Sequence, residues 1–229
     1  MLDKTTESTV DRRNGGIRGS LDAALTKAIS AQLPLARQYV ARLREKNPTA
    51  SPAQLVTMLE KHYLRLVTGA GAVVGGAAIV PGFGTAASLA MSAGDVVGFL
   101  EATAFFSLAL AEVHGIAADD FDKRRAVVLA LVLGESGERA ITSLTDSSDP
   151  QWARRVLEGL PAIAIQLNRT LGRKMLTRYG ARQGALTAGR ALPIGIGAAI
   201  GAGGSWWMGR SVIRSARRAF GRAPKTSQR

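Results

Sequence analysis

Apolar side chains recur along this chain at the three- and four-residue spacing of amphipathic helices, and no segment shows the alternation typical of a strand. The first pattern predicts a helix over about residues 20–46, which Pro34 is expected to bend. The second begins with a strong start signal, Ser51 at the cap, Pro52 at the first helical position and Gln54 three residues after the cap. Its buried stripe is predicted to comprise Leu55, Met58, Leu59, His62 and Leu66.

A run of 28 residues without a charge, from Val67 to Gly94, follows this helix. It is rich in Gly and Ala, and a turn at Pro81, Gly82 and Gly84 divides it. We interpret it as two closely packed apolar helices, of which the second continues to about Gly115. Each half alone is too short to span a bilayer, so we favour a small-residue interface inside a globular core over a transmembrane hairpin.

A second uncharged run, from Ala191 to Gly209, has a similar order of small residues. A turn is predicted here at Pro193, Gly195 and Gly197, where it would open another Ala/Gly-rich helix. Between the two runs, residues 126–133 are apolar on all sides, which predicts a central helix. Further helices are predicted over about 135–148, after Pro150, and from Pro161 to about Tyr179.

When the residues of the last helix are placed at 100° per residue around its axis, they separate into an apolar and a basic face. Met208, Val212, Ile213, Ala216, Ala219 and Phe220 fall on one side, and five arginines fall on the other: Arg210, Arg214, Arg217, Arg218 and Arg222. Trp206 and Trp207 precede them, and Trp favours the headgroup depth of a membrane. The pattern is typical of an interfacial helix, with a terminal helix docked on the core as the alternative.

These elements predict an all-α fold, a single helical bundle with two Gly/Ala-rich helical hairpins and a C-terminal basic amphipathic helix. The helical domain is predicted over residues 20–222, between a disordered polar leader (1–19) and a basic tail (223–229). The leader lacks the apolar segment of a secretory signal, so we expect a cytoplasmic protein.

The net charge of +13 comes entirely from the last third of the chain. Residues 1–158 contain 17 Lys/Arg and 17 Asp/Glu, whereas residues 159–229 contain 13 Lys/Arg and no acid. Such a one-sided field indicates a polyanionic partner, either a phospholipid surface or a nucleic acid. The arginines stand among Gly, Ala, Ile and Trp rather than among base-reading Asn and Gln, which favours lipid.

The residues give little support for catalysis. The chain has no Cys, which excludes disulfides and thiolate chemistry, and it has no phosphate-binding loop or nucleophile elbow. His62 is expected in the core, and His114 at a helix end. A metal site of His114, Asp119 and Asp120 fits no established ligand spacing, and a structural role is favoured. We expect no enzymatic activity, cofactor or metal.

Four features together carry a family resemblance: the segment LEKHYLRLVTGAGAVVGGAAIVPGFGT, the acid Asp95 after it, AEVHGI followed by DDFDKRRAVVLALVLG, and the closing RALPIGIGAAIGAGGSWWMGRSVIRSARRAFG. They resemble the bacterial EcsC protein family over about residues 20–222. That family is named after a gene beside an ABC transporter, is predicted to be helical and has no established enzymatic activity. Its members usually carry an Asn where this chain has residues 203–207. A fainter resemblance to the senescence domain of spartin-like proteins implies lipid.

The leading hypothesis is a non-enzymatic peripheral protein on the inner face of the plasma membrane, which binds lipid and holds or transfers acyl chains in an apolar helical body. The seven residues Trp206, Trp207, Arg210, Arg214, Arg217, Arg218 and Arg222 would contact anionic phospholipid. An integral hairpin accessory of a membrane transporter and a nucleic-acid-binding helical module are the alternatives.

Overall fold

The computed structural model describes residues 29–77, 85–145, 151–159, 161–186 and 196–224, with Ala23, Thr26 and Lys27 before them. Side chains from residue 29 onward are described over 29–72, 97–144, 151–159, 162–174 and 203–224. The predicted leader and the end of the predicted tail lie outside these residues. So do five residues of the predicted turns: Pro81, Gly82, Gly84, Pro193 and Gly195.

The described residues form helices joined by short connections and contain no strand, which confirms the predicted all-α bundle. The helices are α1 (29–46), α2 (Pro52–Ala77), α3 (Thr85–Val113), α4 (Phe121–Leu133), α5 (Glu135–Thr145), α6 (Trp152–Glu158), α7 (Pro161–Leu186) and α8 (Ile196–Phe220). The helix predicted to end near Tyr179 is longer, because α7 continues through Gly180. Gly197 is the second residue of α8, so it belongs to the helix rather than to a turn before it.

The start of α2 has the predicted capping interactions. The backbone N–H of Ser51 donates to Oε1 of Gln54 at 2.7 Å, and the N–H of Gln54 lies 3.4 Å from the Ser51 hydroxyl. This reciprocal arrangement satisfies two groups that a helix leaves without partners. The predicted helix start is therefore confirmed.

The buried face of α2 differs from the predicted stripe. The structure buries Leu55, Leu59, Tyr63 and Val67 at a strict four-residue spacing, whereas His62 and Leu66 are exposed. The predicted core position of His62 is thus wrong, although its Nδ1 makes a hydrogen bond with the Tyr39 hydroxyl. Leu66 is 58% exposed, and its burial was also predicted wrongly. Tyr63 takes the inner position because it stacks on Phe106, with ring centroids 4.5 Å apart.

Helix α4 is the centre of the bundle, as predicted, and every residue from Ala126 to Leu133 is buried. It contacts α3, α5, α6, α7 and α8. Asp120 caps its N-terminus by accepting a hydrogen bond from the backbone N–H of Lys123 at 3.0 Å. Asp120 is therefore the cap residue, and Asp119 precedes it.

The chain turns from α4 into α5 at Gly134, whose φ of +61° favours glycine. One turn later, Gly137 packs on the backbone of α4: a Cβ at this position would lie 2.6 Å from the Cα of Ala130. The close approach fixes α5 against the central helix.

Helix α8 packs along α2 more extensively than any other described pair of helices from α2 onward. The two run antiparallel, because Gly209 meets Leu64 and Val67 whereas Arg217, further along α8, meets Glu60, earlier in α2. A Cβ on Gly209 would lie 2.8 Å from Val67 Cγ2, so the crossing depends on the missing side chain. Gly209 is therefore a point of close contact between α8 and α2, whereas the small-residue interface predicted for residues 67–94 stays a prediction.

Candidate functional site

The two faces of α8 are buried and exposed as the sequence pattern predicts. Val212, Ile213, Ala216, Ala219 and Phe220 are buried and Met208 is half-buried, whereas all five predicted arginines are exposed. The buried face contacts α2, α3, α4 and α6. Burial of these apolar side chains stabilises the position of α8, so its outer face is presented by a docked, ordered helix.

Trp206 and Trp207 lie near the start of the part of α8 whose side chains are described, and both point outward. Trp206 is 42% exposed and Trp207 is 54% exposed. The guanidinium of Arg210, one turn later, lies over the Trp206 ring at 5.0 Å from its centroid. The arrangement places an apolar ring and a cation side by side on the surface, which suits the boundary between lipid headgroups and acyl chains.

Two of the five predicted arginines are engaged in ion pairs within the bundle. Arg217 donates from Nε to Oε1 of Glu60 at 2.7 Å and from a terminal nitrogen to Oε2 at 2.6 Å. These hydrogen bonds raise the pKa of Arg217 above its ordinary value. Arg218 donates from Nε to Glu138 of α5 at 2.8 Å. Both arginines therefore fasten α8 to neighbouring helices, a contribution that the sequence pattern did not predict.

The other three, Arg210, Arg214 and Arg222, form no ion pair with any described residue. All three are exposed, and no acid occurs in α7 or α8. Their charges are therefore not neutralised within the described part of the bundle. They are the members of the predicted arginine set whose positions best fit an external anion.

Because α8 runs antiparallel to α2, exposed apolar residues of both helices lie at the level of Trp206 in the bundle. The residues of α8 before Gly209 lie beside those of α2 after Leu64. This part of α2 contributes Leu66 and the exposed Gly69, and α8 contributes the exposed Gly203 and Gly204. A Cβ on any of these three glycines would meet nothing within 4 Å. We call the surface formed by Leu66, Trp206, Trp207 and Arg210 the α2–α8 tip.

A cleft of about 830 Å³ opens on the other side of Trp207, between α8 and the helices α5 and α7. Arg139 of α5, Lys174 of α7 and Arg214 of α8 line it, and Glu135 is the acid among its described lining residues. The Trp207 side chain also lines it, together with Leu133, Ser136 and Ser211. Sequence reasoning missed Arg139 and Lys174. The acid-free stretch after Glu158 indicated the charge of α7 but not which side chain faces α8.

The predicted metal alternative has no geometric support among the described residues. His114 is buried and its Nδ1 donates to the Leu110 carbonyl at 2.8 Å. Asp119 instead pairs with Arg37 at 2.7 Å, and Asp120 caps α4. No group of three potential metal-binding side chains occurs in the described part of the chain.

Burial lowers the pKa of His114, and the charge of Arg154 lowers it further against the opposing effect of the Leu110 hydrogen bond. The imidazole packs against Phe220 at the end of α8, with ring centroids 5.3 Å apart. The residue thus belongs to the packing under the last turn of α8 and not to an exposed site.

Within the residues that the structure describes, no helix is long and apolar enough to cross a membrane. Comparison of the chain with protein-family models, with curated proteins and with solved structures finds no match. The resemblance to the EcsC family therefore stays a prediction, and the functional argument depends on the surface described above.

Proposed function

We propose that this protein is a non-enzymatic peripheral membrane protein that docks on anionic phospholipid through the α2–α8 tip and the outer face of α8. The observation that carries the proposal is the pairing of exposed Trp206 with Arg210 on the outer face of α8. Because the apolar face of α8 is buried on the core, α8 is the docked terminal helix and not an interfacial helix that buries this face in lipid. Its exposed rings and unpaired cations still suit a membrane surface, since the rings enter the headgroup region while the cations remain with the phosphates.

The distribution of charge supports the same surface. The region from Gly159 onward has 13 basic residues and no acid, and Arg210 and Arg214 have no ion-pair partner among the described residues. Each cation near an anionic surface contributes about 1 kcal/mol to binding. Arg217 and Arg218 do not belong to this docking set, because their guanidinium groups are already paired with Glu60 and Glu138.

Lipid is favoured over nucleic acid by the kind of side chain that is exposed. The α2–α8 tip exposes Leu66 together with glycines of both helices, and none of these reads base edges. An integral hairpin has no support in the described helices. The apolar chamber for an acyl chain stays a prediction from the sequence.

Flotation with vesicles of phosphatidylcholine, with and without phosphatidylglycerol, tests the proposal. We expect the protein to float with the anionic vesicles, less at high salt, and to stay at the bottom with phosphatidylcholine alone. The variant Trp206→Ala/Arg210→Ala removes one ring and one charge from the tip. Loss of about 1 kcal/mol for each corresponds to roughly 30-fold weaker partitioning.

The matched control is Arg42→Ala/Lys46→Ala, which removes two exposed cations from α1. This variant has two positive charges fewer than the wild type but an intact tip, so we expect near-normal flotation. The control loses two charges and the tip variant only one, so a loss in the control as large as or larger than in the tip variant would show that net charge drives binding and would contradict a defined docking surface. Salt-sensitive binding to duplex DNA without any flotation would favour the nucleic-acid alternative.

A further inference from the structure

We infer that the cleft between α5, α7 and α8 is a binding site for a single phosphate group, and that a phospholipid headgroup enters it when the protein docks. The inference deepens the proposed function and depends on it for the lipid source of the phosphate. The α2–α8 tip supplies general affinity for an anionic surface, whereas the cleft would hold one headgroup.

The charges that face the cleft are unequal. Among the described lining residues, the cations Arg139, Lys174 and Arg214 come from three different helices, against one acid, Glu135. The other carboxylate of the first turn of α5, Glu138, is engaged by Arg218. Neither Arg139 nor Arg214 forms an ion pair with a described residue. No described acid therefore accepts a hydrogen bond from their terminal guanidinium nitrogens. Guanidinium groups bind phosphate oxygens through paired hydrogen bonds, which gives them geometric preference for this anion.

The frame around these cations is built by contacts between helices. Lys174 Nζ donates to the Ser136 carbonyl at 3.4 Å and so joins α7 to α5 across the cleft. The ion pair of Arg218 with Glu138 joins α8 to α5 one turn beyond Arg214. These contacts between helices shape the cleft before a ligand binds, which lowers the ordering cost of binding.

The aromatic wall of the cleft favours a headgroup. The cleft is partly open to solvent, with a volume of about 830 Å³. Trp207 lines it and is 54% exposed, and the same residue belongs to the tip that would enter the lipid surface. A headgroup that entered past Trp207 would keep its glycerol and acyl chains on the membrane side, with its phosphate among the three cations.

Binding of soluble phosphates tests the cleft independently of membrane docking. We would titrate the full chain with inorganic phosphate, with short-chain phosphatidylglycerol below its micelle concentration, and with glycerol, and follow Trp fluorescence and heat. Saturable binding of either phosphate compound and none of glycerol is expected. Tighter binding of the phospholipid identifies a headgroup as the source, and equal binding identifies phosphate itself; both support the site.

Variants then test whether the cleft is the binding site. Arg139→Ala/Arg214→Ala is expected to weaken phosphate binding by roughly tenfold or more, because charge-assisted hydrogen bonds are lost. Arg42→Ala, an exposed cation of α1 that belongs to neither the cleft nor the tip, is expected to leave phosphate binding unchanged. All three positions are exposed, and thermal unfolding followed by circular dichroism checks that each variant folds.

Absence of saturable phosphate binding, or undiminished binding in Arg139→Ala/Arg214→Ala, would overturn the inference even if the protein floats with anionic vesicles. Phosphate binding without flotation would overturn the proposed membrane function and the headgroup source, and would leave a site for a soluble phosphate compound.

Discussion

The guanidinium of Arg217 and the carboxylate of Glu60 form a bidentate ion pair, with nitrogen–oxygen distances of 2.7 and 2.6 Å, that joins the last helix to α2. Glu60 is only 8% exposed, whereas most of the Arg217 side chain is open to solvent. The pair lies two turns along α8 from Gly209, where a Cβ would lie 2.8 Å from Val67 of α2. Together these two contacts fix the register of α8 on α2 and hence the position of Trp206 and Arg210.

Replacement of Arg217 by Ala is expected to lower the free energy of unfolding by about 1–2 kcal/mol, between the values typical of an exposed and a fully buried pair. The loss arises because the largely buried carboxylate of Glu60 is left without its partner. Urea unfolding measures it. Arg210→Ala, an arginine without an ion-pair partner in the described structure, should change stability by no more than about 0.5 kcal/mol.

A second replacement makes the test specific. Addition of Glu60→Ala to Arg217→Ala should recover part of the loss, since no buried charge then lacks a partner. If Arg217→Ala were as harmless as Arg210→Ala, the ion pair would not hold α8 in register.

The two glycine positions Gly209 and Gly204 of α8 should respond in opposite directions to Ala. At Gly209 the new methyl group would lie 2.8 Å from the Val67 side chain and 3.1 Å from Leu64. Overpacking of about 1–3 kcal/mol outweighs the helix-propensity gain of about 1 kcal/mol, so we expect a net loss of about 1 kcal/mol. Gly204 has nothing within 4 Å, and the substitution there should stabilise the protein by up to about 1 kcal/mol.

Urea unfolding of Gly209→Ala and Gly204→Ala under identical conditions measures the difference. Each variant adds one methyl group to the same helix, so each is the control for the other. A gain in stability at Gly209 would show that α2 and α8 can separate at this point without cost.

Local signals in the sequence predicted several elements correctly. The cap of α2 followed from Ser51 and Gln54 alone, because a capping box is a contact between residues three apart. The central position of α4 followed from residues 126–133, since a helix that is apolar all round has no face to present to water. The outer face of α8 followed from the separation of Arg from apolar residues.

Predictions that depend on a second helix were less successful. The buried stripe of α2 includes Tyr63 rather than His62, because Phe106 and Thr103 of α3 contact Tyr63. A helix with many apolar residues has several faces that could be buried, so the sequence alone does not select one of them. The pairing of Arg217 joins residues 157 positions apart, which no local pattern reveals. Arg139 and Lys174 belong to a cleft that exists only where three helices meet.

Stability should fall below about pH 6.5 through the protonation of His114. Its pKa is lowered in the folded protein by burial and by Arg154. The unfolded chain therefore takes up a proton at a higher pH than the folded one. The stabilisation from neutral His114 is complete above the unfolded pKa and is lost as the pH falls from there toward the folded pKa.

Urea unfolding as a function of pH, compared between the wild type and His114→Phe, measures this contribution. The ring of Phe retains the packing on Phe220 but cannot titrate, so the slope between about pH 6.5 and 5 should be smaller in the variant. His62→Gln is the control, because it removes the other histidine of the chain, which is exposed. An unchanged slope in His114→Phe would contradict the assignment.

Trp fluorescence should report the docking surface directly. The chain has three tryptophans, of which Trp152 is buried at 4% exposure while Trp206 and Trp207 face outward. Insertion of an exposed indole into the headgroup region replaces water by a less polar environment, so anionic vesicles should shift the emission to shorter wavelength and protect it from acrylamide. Trp206→Phe/Trp207→Phe should abolish the shift, because Trp152 is already shielded. Trp152→Phe should retain it, and a shift that followed Trp152 instead would show that vesicles open the bundle rather than bind its surface.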